Sequence, residues 1–400
     1  MEKMERIHGK ILEAIDLSKE VENEELIELI HDILQREGTS SYMSLKEKTM
    51  LGKELFNTLR KLDILQDLIE DEEITEIMIN GTEHIFIEKE GRVEKLQKRF
   101  VERKKLEDVV QQMVASANRI VNEASPIVDA RLTDGSRINV VLPPVALNGP
   151  IVTIRKFPKD KFTMADLVKR ESVSKEIVEF LEMLIQARYN VFVSGGTGSG
   201  KTTFLNALSD FIPKDERIIT IEDNAELQIK EVPNLVRLEA RNANVEGVGQ
   251  ISIRDLLKAS LRMRPSRIIV GEVRGDEAID MLQSLNTGHC GASSGHANSP
   301  EDMLSRLETM VLMGLDIPLK AIQRQIASAI DVIIHLGRLR DKSRKVLQVV
   351  EVLGFEHDEI QLQKLYEFQE REEINGRIQG EWIKVNDIQN REKLLAAGYS

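Results

Sequence analysis

The stretch VFVSGGTGSGKTTFLNAL, residues 191 to 208, passes from apolar residues through a glycine cluster into a lysine, two threonines and a helical pattern. A loop of glycines between a strand and a helix can turn its backbone N–H groups around an anion at the helix N-terminus. Gly195, Gly200, Lys201 and Thr202 fill the fixed places of G-x-x-x-x-G-K-[ST], in which the lysine reaches the β/γ-phosphates and the hydroxyl meets Mg²⁺. Val191, Phe192 and Val193 read as a short buried strand, and Phe204, Leu205 and Leu208 give the following helix an apolar face. The run Gly195, Gly196, Thr197, Gly198, Ser199, Gly200, Lys201, Thr202 and Thr203 is therefore the expected phosphate cradle, with Thr202 as a magnesium ligand.

Working outward, four hundred residues with 41% hydrophobic content suffice for two or three cored domains. A formal charge of −12 argues against a broadly basic nucleic-acid surface, so no stable nucleic-acid partner is expected. The single cysteine, Cys290, excludes an intrachain disulfide and a multi-cysteine zinc site and suits a reducing cytoplasm. No apolar run approaches the eighteen or so residues of a membrane span, and the N-terminus lacks a signal-peptide core.

The predicted organisation has five parts. Residues 1–70 form a helical segment, with Ile11, Leu12 and Ile15, then Leu26, Ile27, Ile30, Ile33 and Leu34, at helical spacing. Residues 71–157 form a smaller α+β domain, in which strand-like runs surround the turns Asn80-Gly81 and Asp134-Gly135. Residues 158–172 are a polar linker. Residues 173–356 alternate strands (RIITIED, NLVRLEA, RIIVGEV, DVIIHLG) with helices, which implies an α/β domain with a mostly parallel sheet. Residues 357–400 are a small extension of opaque role, with strand-like EIQLQKLYEF and GRIQGEWIKV and a terminal helix.

Hydrolysing a phosphoanhydride needs charge stabilisation, a metal bridging the phosphates and a group that places the attacking water. Lys201 and the loop amides supply the first. Glu272, ending IIVGE, and Glu222, ending IITIE, gather two acids at the carboxyl ends of neighbouring strands, where such folds bind ligands. His289 and His296 lie in the small, polar, Gly-rich stretch NTGHCGASSGHAN, read either as γ-phosphate sensors or as a solvated loop; no third ligand makes them a metal pair. Arginines from outside the loop often neutralise the transition state, and Arg131, Arg137, Arg155, Arg237, Arg241, Arg262 and Arg264 are the candidates. The guanine-reading N-K-x-D motif and LSGGQ are absent, which disfavours a GTPase switch and an ABC transporter ATPase.

These motifs, GGTGSGKT, TIEDNAEL, IIVGEVRGDEA and TGHCGASSGHAN in that order, resemble the ATPases of bacterial type II and type IV secretion and type IV pili. SPIVDARLTDGSRINVVLPP, VTIRKF, RLEARNANVEGVGQISIRDLLKASLRMRPSRIIVGEVRG and ANSPEDMLSRLETMV are similar to the CpaF-type branch of tight-adherence (Flp) pilus assembly, over roughly residues 75 to 355. The resemblance implies a homohexamer with a RecA-like P-loop NTPase domain, ATP and Mg²⁺ held between the two domains, and an inner-membrane platform as partner. The chain would then be cytoplasmic, at the inner face of the membrane. It implies that Glu222 and Glu272 are the metal and water-placing acids, without deciding which does which. Glu272 joins Thr202 on the metal side, and His289 and His296 belong to a His box. Arg137 and Arg155 would reach the phosphates, and Arg237 and Arg241 would stand at arginine-finger positions. The His box departs from the pattern, with Cys290 where an acid is frequent and Ala292 for a usual serine. The zinc-binding cysteine insertion of many type II secretion relatives is absent. A nucleotide-switched regulatory protein, a pilus-retraction motor and a nucleic-acid translocating ring are the alternatives.

Overall fold

The computed structural model describes residues 2–15, 21–40, 43–89, 91–157, 161–241 and 249–399. It divides into two compact units, Met1–Lys159 and Asp160–Ser400.

The first unit opens with four helices, α1 (Glu2–Ala14), α2 (Asn23–Ser40), α3 (Leu45–Arg60) and α4 (Ile64–Glu70). Ile7, Ile11, Leu26, Ile30, Leu34 and Leu55 bury themselves between the first three; of the apolar residues at helical spacing, Ile11, Leu26, Ile30 and Leu34 are buried, while Leu12 and Ile27 are exposed. Ser44 and Glu47 close a reciprocal cap on α3. Then come β1 (Ile74–Asn80), β2 (His84–Lys89), β3 (Arg92–Lys95), α5 (Arg103–Ser116), β4 (Ile127–Arg131), β5 (Arg137–Val141) and β6 (Ile151–Arg155). The six strands make an antiparallel sheet in the order β3-β2-β1-β6-β5-β4. Ile77, Ile79, Ile138, Val152 and Ile154 point to one face and bury against Leu106, Val109, Val110 and Met113 of α5. The alternate residues face the other way, as the period-2 pattern requires.

The second unit begins with α6 (Met164–Lys169), capped by Thr163 and Asp166, so the expected linker 158–172 carries a helix where described; residues 158–160 lie outside the described residues. It continues through α7 (Lys175–Gln186), β7 (Val191–Gly195), α8 (Lys201–Leu208), β8 (Ile218–Glu222), β9 (Leu235–Glu239), α9 (Ile253–Ser260), β10 (Arg267–Val270), α10 (Glu277–Asn286) and β11 (Cys290–Gly295). Last are α11 (Pro300–Gly314), α12 (Leu319–Ala329), β12 (Val332–Arg338), β13 (Arg344–Glu356), β14 (Glu359–Ile374), β15 (Arg377–Lys384) and α13 (Glu392–Ala396). Nine strands form one sheet in the order β15-β14-β13-β12-β7-β11-β10-β8-β9. Neighbours from β12 through β9 run parallel, while β13, β14 and β15 join antiparallel. Residues 357–400 are thus largely a continuation of the nucleotide-side sheet.

The Gly-rich stretch read as a loop is a central, fully buried strand, β11. Its small residues are a packing requirement. A Cβ on Gly291 would meet Leu285 Cδ2 of α10 at 2.6 Å, and one on Gly295 would meet Met303 Sδ of α11 at 2.8 Å. The two glycines share one face of the strand, so α10 and α11 both lie close against that face, and β-propensity yields to volume.

At the amino end of β10, Arg267 is 1% exposed and grips the buried Glu216 through Nε (3.0 Å) and Nη2 (3.1 Å), while Nη2 also reaches Ile185 O. Removing one partner of a buried pair strands the other charge. Glu216→Ala is expected to cost about 3 kcal/mol. The check is a lowered urea midpoint read by the fluorescence of Trp382, the chain's single tryptophan, which lies in this unit.

Candidate active site

The loop Gly195–Gly200 leaves β7 and enters α8 as the sequence pattern requires. Gly200 caps α8 with φ 96°, a left-handed conformation that costs a side-chain-bearing residue about 1–2 kcal/mol. Gly195 has no room for a side chain, because a Cβ would lie 2.4 Å from Leu336 O of β12. Lys201, 7% exposed, curls back and donates to Gly195 O (3.2 Å) and Gly196 O (3.3 Å).

From Lys201 a chain of polar contacts runs across the strand ends. Lys201 Nζ lies 3.0 Å from His296 Nδ1, and an ammonium can only donate, so Nδ1 accepts and the neutral ring carries its proton on Nε2. Nε2 lies 2.8 Å from Glu272 Oε1. Glu272 Oε2 accepts from Arg274 Nε (2.9 Å) and Nη2 (2.6 Å), and Arg274 Nη1 stands 3.8 Å from Asp223. Burial holds the His296 imidazole below the ordinary histidine range despite Glu272, with Lys201 and Arg274 adding to the depression.

Glu222, at the end of β8, is 3% exposed. Its Oε1 accepts the N–H groups of Glu226 (2.8 Å) and Leu227 (2.9 Å), so it shapes the loop after β8. Its Oε2 is buried with no hydrogen-bond donor among the described residues, as are Ser199 Oγ and Glu272 Oε1, whose 2.8 Å neighbour His296 is not aligned as a donor. Burial pushes the Glu222 carboxyl up to about 7.

Among the described residues no group of three or more His, Cys, Asp or Glu side chains could hold a metal alone. Magnesium asks for less, since it is commonly held by one or two protein oxygens and completed by phosphates and water. Thr202 at the head of α8 and the underserved oxygens of Glu272 and Glu222 fit that donor set.

Lys201, His296, Glu272 and Glu222 thus come together. His289 does not. It precedes β11, whereas His296 follows it, so the strand holds them about 20 Å apart at the β-strand rise. His289 contacts Thr287 and lines a 480 Å³ cavity at the opposite end of the sheet with Arg188, Asn190, Cys290 and Lys393. Cys290 is buried there, which pushes its thiol up and away from reactivity. Arg237, on edge strand β9, donates to Leu227 O (3.0 Å), and Arg241 donates to Gly249 O (2.7 Å); neither reaches the loop within this chain. The segment between them and Ile251 includes residues 242–248, outside the described residues. Arg137 and Arg155 belong to the first unit, where Arg131, Arg137 and Arg155 stand directly opposite one another on β4, β5 and β6, with Glu76 next in the row. Sequence reasoning missed Arg274, two residues beyond Glu272, and Arg338 and Arg344, which flank the loop from the β12–β13 turn.

This is the geometry of a phosphate-binding α/β enzyme. The chain belongs to the type II/IV secretion system protein family, whose model matches residues 58–380. It is 32% identical over 303 residues to the type IV secretion system protein VirB11 of Brucella suis biovar 1, covering 69% of this chain and 84% of that one. It is 30% identical over 307 residues to the conjugal transfer protein TrbB of Rhizobium radiobacter, covering 76% and 91%. The fold is shared with the ATPase DotB of Yersinia pseudotuberculosis, with TM-score 0.54 at 19% identity over 74% of this chain and 79% of that one. As a member of this family the chain is an ATPase of the secretion and pilus motor class.

The Glu222 carboxyl, raised from 4.5 to about 7, favours the folded state in its protonated form. Its contribution is present in full below the unfolded value and is lost as pH rises through 7. In nucleotide- and magnesium-free protein, the stability of wild type relative to Glu222→Gln should fall by up to about 3 kcal/mol between pH 4 and pH 8. Parallel urea curves at the two pH values, differing by a constant offset, would refute this.

Proposed function

We propose that this chain is a CpaF-type, RecA-like motor subunit that hydrolyses ATP as a homohexamer to drive pilus assembly or protein secretion through an inner-membrane platform. The observation that carries the reading is the polar chain Lys201–His296–Glu272–Arg274 across the mouth of the glycine loop. It joins a loop built for phosphate to an acid at a strand end through a neutral imidazole, so the two cannot move independently.

In this reading the amides of Gly195–Thr203 and the Lys201 ammonium hold the β- and γ-phosphates. Thr202 and Glu272 would hold Mg²⁺, which when bound supplies charge neutralisation between those phosphates. Glu222, with Oε2 buried and underserved, is the acceptor that places the attacking water and takes its proton. With Lys201 turned to the phosphates, Nδ1 of His296 is open to take a proton from solvent, and the resulting imidazolium donates to a terminal phosphate oxygen while Nε2 stays beside Glu272. Arg137 and Arg155 from the first unit, or Arg237 and Arg241 at the edge of a neighbouring copy, complete the charge balance. A site finished by a neighbour couples turnover to motion between parts. Work as a peripheral subunit at the inner face of the membrane belongs to the same reading; among the described residues no helix is long and apolar enough to cross a membrane.

Lys201→Ala is expected to lower Mg²⁺-dependent ATP hydrolysis at least about a hundredfold through loss of a phosphate charge, and wild-type turnover in that variant would sink the site assignment. His296→Ala should lower kcat by about a hundredfold while KM stays within about threefold, as for a group used mainly in the transition state. Specific activity followed over a wide dilution series should rise with concentration, because the working site needs neighbouring subunits. A flat profile in protein that sedimentation shows to be monomeric would instead favour a single-chain nucleotide switch.

A further inference from the structure

The C-terminal strands lie against the β12–β13 turn, which touches the glycine loop from outside. Arg338 and Arg344 are paired across the β12–β13 ladder, and five residues between and beside them make the turn. Arg344 Nε donates to Gly198 O at 2.7 Å, its Cδ would sit 3.4 Å from a Cβ on Gly200, and Arg338 Nη1 would lie 3.7 Å from one on Gly198. In a trans peptide the C=O and the following N–H point opposite ways. Drawing Gly198 O outward to Arg344 therefore turns the Ser199 N–H inward, where it meets Gly196 O at a loose 3.3 Å. A phosphate oxygen can displace so long a contact.

The turn is held by strands that sequence reading left without a role. Arg340 Nη2 pairs with Glu370 at 2.5 Å and Arg340 Nε with Glu373 at 3.0 Å, both on β14. Asp341 accepts from Ile378 N of β15 at 2.9 Å and from Ser343 N at 2.9 Å. Lys345, 4% exposed, donates to Glu171 O (2.8 Å) and lies over the rings of Phe368 and Trp382, whose Nε1 donates to Val346 O (2.7 Å). Residues on both sides of Arg344 are thus anchored to β14 and β15.

We propose that Arg344 is a positioning residue of the nucleotide site, and that β14 and β15 are the brace that keeps it on the Gly198 peptide. The ligand class is the polyphosphate of a nucleotide, so the proposal rests on the ATPase reading. It gives the C-terminal extension a task in substrate binding.

The test compares binding of fluorescent N-methylanthraniloyl-ADP, and KM and kcat for ATP, among full-length wild type, Arg344→Ala, Arg344→Lys and Glu370→Gln/Glu373→Gln. Arg344→Ala should raise Kd and KM about tenfold with kcat nearly unchanged, as expected for an interaction that binds ground and transition states alike. The Trp382-monitored urea midpoint should not move, because Arg344 is exposed. Arg344→Lys, which keeps a cationic donor, should recover part of the affinity. The Glu370→Gln/Glu373→Gln pair touches nothing in the loop and should still weaken binding about threefold, a loss worth roughly 0.6 kcal/mol. Wild-type affinity in Arg344→Ala overturns the proposal, and wild-type affinity in the double variant overturns the brace. Failure of wild type itself to bind the probe would instead fell the nucleotide reading beneath both.

Discussion

The space available to β11 governs the second unit. Six residues, Cys290–Gly295, run through the middle of the sheet with every position buried, between β7, which launches the glycine loop, and β10, which delivers Glu272. Parallel strands cannot be joined by hairpins and must be crossed by helices, so a central strand is covered on both faces. Here α10 and α11 come down so far that Gly291 and Gly295 have no room for a methyl group. The close approach fixes the height at which β11 ends, and with it the point where His296 emerges. That height is what puts Nδ1 3.0 Å from Lys201 and Nε2 2.8 Å from Glu272. A longer side chain in β11 would move the helices outward and take the imidazole with them. The chemistry at the carboxyl edge is therefore set by packing in the layer beneath it.

The charges at that edge only make sense together. A buried lysine beside a histidine favours the neutral imidazole, and a neutral imidazole with Nδ1 accepting carries its proton on Nε2, 2.8 Å from Glu272 Oε1 but not aligned on it. Arg274 grips the far oxygen of Glu272 with both Nε and Nη2, beside a ring that is not charged. Glu222 differs in kind: backbone N–H groups hold one oxygen, nothing in the described chain serves the other, and burial favours its proton. Two acids at neighbouring strand ends thus sit in different settings, one gripped by an arginine and the other buried on backbone amides.

Much of this was legible in the residues. The loop, the alternation of strands and helices, and both acids at strand ends follow from glycine geometry and apolar periodicity. The failures have separate causes. CGASSG carries neither β-branched nor aromatic residues, so local propensity says loop, and only the small space left beneath α10 and α11 explains a strand there. Reading it as a loop allowed His289 and His296 to be neighbours; reading it as a strand separates them by its length. Arg344 was invisible for another reason. It lies 146 positions from the carbonyl it holds, and no local pattern announces a contact made by sheet topology. Residues 357–400 looked like an appendage because antiparallel strands added to a parallel sheet have no signature distinguishing them from a separate hairpin.

The first unit presents its own electrostatic puzzle, in the row Arg131–Arg137–Arg155. Residues directly opposite on an antiparallel sheet share a face and lie within about 5.5 Å at Cβ, where like charges repel. Glu76, next in the row, relieves part of this from 3.9 Å, and Phe157 lies 5.9 Å from the Arg131 guanidinium. Nothing about sheet formation asks for three arginines there, because the opposite face, with Ile138, Val152 and Ile154, supplies the burial that holds these strands together. Arginine suits such a row better than lysine, because its charge is spread over a planar, weakly hydrated guanidinium that can lie over an aromatic ring, as that of Arg131 does over Phe157.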